Sequence, residues 1–183
     1  SQENSKLKPI DSIIKNMKSN MGLINTHLSV KNKLFFEIDK KLFEKELLIV
    51  TRFAQLPSNY SGYLNAGSKT SERVVMFEKM ENKILLKEVS FTNIAEANDP
   101  ISISVKQNNF KPILAAFQIE NIEKDRYLFD VTDYFMSDSP GFNIIRSYEK
   151  ENYKIGGIDK KRSFIDSARS FPNNTEILHT LTF

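Results

Sequence analysis

The stretch ERVVMFEKMENKILLKEVSF, residues 72–91, decides how the rest of the chain is read. Two runs rich in aliphatic and β-branched residues flank the pair Glu81-Asn82, which has the polar, turn-forming character of a tight connection. Strand, short turn, strand is a β-hairpin. Downstream, PILAAFQIENI (112–122) and RYLFDVT (126–132) flank Lys124-Asp125 in the same way and predict another. Upstream, Ile24, Thr26, Leu28 and Val30 fall on one face at period two, Lys31-Asn32 can turn the chain, and Leu34, Phe36 and Ile38 resume the apolar face. Three hairpins make the expected class α+β, predominantly antiparallel β with a few short helices.

The run ELLIVTRF, residues 46–53, is almost continuously apolar, and at that length it reads as a central strand buried on both faces. Ile10, Ile13, Ile14 and Met17 are at helical spacing, which predicts a helix near residues 9–20 that Gly22 ends. Asp39 can cap one helical turn through Leu42 and Phe43, and Thr132 a short helix over Asp133–Met136. Asp130 ends a strand beside that cap and can hold backbone N–H groups. Near Asp99-Pro100 the pattern conflicts. A helix start precedes alternating Ile101, Ile103 and Val105, and residues 101–108 stay unassigned. Residues 137–158 read as largely irregular. After them, Asp159 caps an expected helix in which Phe164, Ile165, Ala168 and Phe171 share a face, stopped by Pro172. The chain closes on EILHTLTF (176–183), an apolar strand that either completes a sheet or leads into a following domain.

Composition bounds the chemistry. The chain has 183 residues with 14 Phe, 6 Tyr and only 6 Gly, enough to pack a core. A net charge of +3, with the cations dispersed among acids, gives no basic stripe for nucleic acid. There is no apolar run of membrane-spanning length. Without cysteine, disulfides, thiolate metal sites and a cysteine-switch propeptide are excluded. The two histidines, His27 and His179, are far apart with no carboxylate at ligand spacing, and no H-E-x-x-H, G-x-S-x-G or glycine-rich phosphate motif is present. Asp130, Asp133 and Asp138 are spaced for capping and turns, not for a calcium loop. Tyr60 and Tyr63, with Asn59, Ser61 and Asn65, lie in the long polar segment 54–71, which is either a bare surface loop or a place to bind sugar or peptide. No residue is assigned a catalytic, cofactor or metal role.

Several segments in order carry a resemblance: KLFFEIDKKLFEKELLIVTRFAQLP, ERVVMFEKMENKILLKE, KPILAAFQIENI, FDVTDYFMSD and RSFIDSARSFPNNTEILHTLTF. From about Gly22 to Phe183 the chain resembles the uncharacterised domains that precede the catalytic domain in a group of bacterial zinc-dependent, metzincin-like metalloproteases. The resemblance implies a lead and short helix (1–21), a small hairpin unit (22–38) and a β-rich accessory domain (39–183) that ends before a C-terminal catalytic domain. It implies that zinc sits in that catalytic domain and none in this chain. It also implies an extracytoplasmic location (periplasmic, outer-membrane associated or secreted), the catalytic domain as partner, and peptide or protein as substrate. Arg162, Arg169, Phe171, Pro172 and Phe183 are the expected contacts between domains. The competing reading is an independent extracytoplasmic module that binds peptide or glycan.

Overall fold

A computed structural model describes residues 8–56, 58, 65–90, 110–143, 145, 147–152 and 154–183. The architecture is a large antiparallel sheet with a few short helices and a separate hairpin. The sheet holds β1 (Lys18–Asn20), β2 (Asn25–Leu28), β3 (Leu34–Asp39), β4 (Leu47–Arg52), β5 (Lys69–Met80), β6 (Lys83–Glu88), β7 (Ile113–Glu123) and β8 (Arg126–Asp130). Their order is β1-β2-β3-β8-β7-β6-β5-β4, so residues before and after position 39 share one sheet. β9 (Phe164–Ser170) and β10 (Thr175–Thr180) form the separate hairpin.

The predicted hairpins are present, and the turns show why. Met80 pairs with Lys83 and Glu123 with Arg126, leaving two-residue connections. Glu81 (φ 50°) and Lys124 (φ 58°) take the left-handed conformation that a tight hairpin turn demands. In the first hairpin, Leu28 pairs with Leu34 across a longer loop, and Val30 is 94% exposed at its tip instead of facing the core.

Alternation divides the sheet into two faces. Leu34, Phe36, Ile38, Val75, Phe77, Ile84, Leu86, Phe117 and Phe129 point into the main core, closed by Val131, Met136, Ile165 and Ala168. Each such large side chain contributes about 1.5–3 kcal/mol of burial. Phe129 is edge-on to Phe36 and Phe77. On the opposite face Phe35 and Leu128 pack beneath Ile10 of α1 (Ile10–Ile14), with Ile13, Ile14 and Met17 around them. The helix is shorter than the sequence predicts, because the chain enters β1 at Lys18.

Two expectations are corrected. ELLIVTRF is not interior: among the described strands β4 lies at one edge of the sheet, with Leu48 59% and Val50 42% exposed. Its outward face is apolar, which imitates double burial in the sequence. The segment after Asp159 is a strand, not a helix. A bulge in the β9–β10 pairing puts Ile165 opposite His179 and Ser167 opposite Leu178. Asp166 is thus an extra residue, and Ile165 and Ala168 both face the core at a spacing that mimics a helix. Asp159 instead organises a turn, accepting from the Lys161 N–H at 2.9 Å.

The other short elements follow their caps. Asp39 accepts from Lys41 N–H at 2.9 Å and starts the 3-10 turn Lys40–Leu42. α2 (Thr132–Phe135) begins where Asp130 accepts from the Thr132 N–H at 2.8 Å. Thr132 does not cap its helix with its hydroxyl, which instead accepts from the Leu34 N–H at 2.8 Å. α3 spans Ser147–Asn152 within the segment read as irregular. Tyr60, Tyr63 and residues 101–108 lie outside the described residues.

Candidate functional site

The most concentrated polar chemistry lies on the α1 face of β1, β2, β3 and β8. Adjacent strands align it: Ser19 is opposite His27, and Asn25 is opposite Glu37. His27 is fully buried and Glu37 is 2% exposed. Asn25 Nδ2 donates to Glu37 Oε1 at 2.9 Å, while Arg126 Nε and Nη2 grip the two carboxylate oxygens at 3.0 and 2.9 Å. That bidentate fork is the strongest geometry available to a carboxylate–arginine pair. Arg126 also reaches Asp11 at 2.9 Å, tying α1 to the sheet. Burial alone raises the Glu37 carboxyl, but its bonds with His27, Arg126 and Asn25 outweigh that and hold it at about 2. Its bonds to Glu37 and Asp11 push the Arg126 guanidinium up.

His27 sits between Ser19 and this carboxylate. Nε2 lies 3.5 Å from Glu37 Oε2, a long electrostatic contact, and the Ser19 hydroxyl lies 2.8 Å from Nδ1. The tautomer with its proton on Nε2 faces that proton toward the ionised Glu37 and leaves Nδ1 to accept from the exposed Ser19 hydroxyl. Serine, histidine and carboxylate in series are the ingredients of nucleophilic catalysis. Here the carboxylate is also held by Arg126 and Asn25. A cleft of about 430 Å³ is lined by Leu114–Gln118, Asp130, Asp133, Tyr134, Ser137 and Ser139, and does not reach Ser19. What the array does is fix β1, β2, β3, β8 and α1 in register.

The array escaped sequence reading because its members meet across strands. The alternation already sets Asn25, His27 and Glu37 on the face opposite Leu34, Phe36 and Ile38, but only the strand register, in which Asn25 faces Glu37 and His27 faces Phe35, shows which of them meet.

The other expected residues are dispersed. His179 is half-buried against the Phe135 and Phe142 rings and donates from Nδ1 to the Phe135 carbonyl at 2.5 Å. Burial pushes its pKa down. Asp130 accepts from the Thr132 N–H at the start of α2, Asp133 meets Lys160 at 3.0 Å, and Asp138 pairs with Lys150. Among the described residues no three His, Cys, Asp or Glu side chains cluster as a metal site. Arg162 and Arg169 are not brought together. Arg162 binds its own Asp159 at 2.7 Å, beside the end of the chain where Phe183 is half-buried. Arg169, opposite Glu176, lies with Phe171 and Pro172 at the far end of the β9–β10 hairpin. The Phe171 side chain is 42% exposed, and its backbone makes the contact: the carbonyl accepts from Leu23 N–H at 2.8 Å. A Cβ on Gly22 would lie 2.5 Å from that carbonyl, so this crossing requires glycine. Among the described residues no helix is long and apolar enough to cross a membrane.

Residues 67–183 match the family described as Domain of unknown function (DUF5117). Residues 7–56 match Domain of unknown function (DUF5118). No curated protein and no solved structure matches the chain.

Proposed function

The chain belongs to the DUF5117 family, preceded by a DUF5118 segment, and from that premise we propose that it is a non-catalytic accessory module of a larger bacterial zinc-dependent metalloprotease. Zinc and the catalytic groups then reside in a C-terminal domain of the same polypeptide, and this module serves it structurally, by presenting substrate, or by regulation. The sequence resemblance supplies the protease context and the extracytoplasmic location. The observation that favours a non-catalytic role is the closure of the Ser19–His27–Glu37–Arg126 array on itself: its charges neutralise one another and brace the fold.

The test is domain dissection of the full polypeptide. Removing or unfolding this module should change the stability, substrate range or output of the protease while its zinc content stays intact. A polypeptide with no zinc-dependent peptidase activity would refute the reading. The cleft beside α2 favours a second reading, a module that binds a small polar ligand such as a peptide or glycan. It combines the hydroxyls of Tyr134, Ser137 and Ser139 with Gln118 and Asp133. Titration calorimetry with oligosaccharides distinguishes the two, since glycan binding in this cleft belongs to the second reading alone.

A further inference from the structure

Strand β4 ends the large sheet, and no described strand pairs with its free edge. Its inward pairing fixes which backbone groups are free. Val74, opposite Leu48, turns its carbonyl away from β4 and accepts from Val89 N–H at 2.8 Å. The Leu48–Val74 pair is therefore of the non-hydrogen-bonded kind, and Leu48 directs its own N–H and C=O to the free edge. Val50, and Glu46 and Arg52 at the two ends, follow at period two. These four residues also carry the exposed side chains: Glu46, Leu48, Val50, Arg52. Two of the usual protections of an edge, proline and a bulge on the strand itself, are missing from β4. It has no proline, and the irregularity beside Arg52 leaves the extra residue, Thr70, on β5.

We propose that this edge pairs with the same edge of a second copy of the chain, antiparallel about a two-fold axis at Ile49. Leu48 of each copy then faces Val50 of the other, and Glu46 of each faces Arg52 of the other. Of the registers centred on this strand, this one alone joins the outward backbone groups in reciprocal pairs, matches apolar with apolar, and places opposite charges together at both ends. The sequence of the face is self-complementary when read backwards: acid, apolar, apolar, base. The pairing merges two large sheets into one continuous sheet. It is independent of the accessory role proposed above. Edge pairing alone buries less than the roughly 1,600 Å² of a standard interface, so the dimer depends on concentration.

Sedimentation equilibrium over a concentration series tests this, with circular dichroism and melting confirming that each variant folds. The wild-type chain is expected to move from monomer to dimer. Arg52→Glu sets two acids together at each end and should weaken the dimer about tenfold or more. The double exchange Glu46→Arg with Arg52→Glu should restore it. Arg52 also donates to the Gly67 carbonyl at 2.9 Å in its own chain, so Leu48→Lys serves as a second variant that touches no such bond. It too should yield a folded monomer. A wild-type chain that stays monomeric throughout, including one that instead takes up an extended peptide at this edge, overturns the proposal. So does a dimer indifferent to Arg52→Glu and Leu48→Lys, or a double exchange that restores nothing.

Discussion

Replacing Glu37 by glutamine keeps the shape of the side chain and one acceptor but removes the charge that Arg126, Asn25 and His27 surround. Arg126 is not stranded by the change, because Asp11 lies 2.9 Å away and Glu123 4.0 Å. The loss is therefore close to the free energy with which the fold favours the ionised carboxylate. A carboxyl held at about 2 in the fold, against 4.5 in an unperturbed glutamate, corresponds to about 3 kcal/mol at neutral pH. The sign follows from the depressed value. The stabilisation is complete above pH 4.5, where the unfolded chain is also ionised, and it disappears as pH falls through about 2. At pH 3 roughly half of it remains. Urea unfolding of wild type and Glu37→Gln at pH 7 and pH 3 measures this directly. The gap between the two proteins should be about 3 kcal/mol at neutral pH and should close by about half at pH 3. A gap that does not change with pH, or a variant as stable as wild type at pH 7, would refute the argument that this array holds the sheet together.

Other expectations follow from packing. Gly22→Ala pushes a methyl group into the backbone of Phe171 and should lower stability by about 1–3 kcal/mol, read by calorimetry. Phe129→Ala empties the centre of the core and should cost about 3–5 kcal/mol. Phe171→Ala, at a half-exposed ring, should cost about 1 kcal/mol or less by the same denaturation assay. Ser19→Ala removes the hydroxyl beside His27 and should cost about 1 kcal/mol, the worth of one hydrogen bond.

What was legible in the sequence was what is local. Glu81-Asn82 and Lys124-Asp125 sit between alternating runs, and both are tight turns in the sheet. Asp39 caps, and Asp130 accepts at the start of α2, because a short carboxylate at a strand end reaches the next N–H groups. What was hidden depends on distant partners. An apolar edge strand and a doubly buried one look alike until the sheet order is known, hence the misplacement of Leu47–Arg52. One extra residue in β9 turned a strand's period into a helix's. The Ser19–His27–Glu37 array needed a hairpin register accurate to one residue, and Arg126 joins it only because β8 pairs with β3.

The central claim is that this chain braces or serves a protease without catalysing hydrolysis, and its most direct test is cleavage by the purified chain itself. Wild type and Ser19→Ala are incubated with a peptide library, with and without added zinc, and the products are read by mass spectrometry. The account predicts no cleavage above buffer for either protein in either condition. Cleavage by the wild-type chain that disappears in a folded Ser19→Ala variant, or that requires zinc, would contradict it.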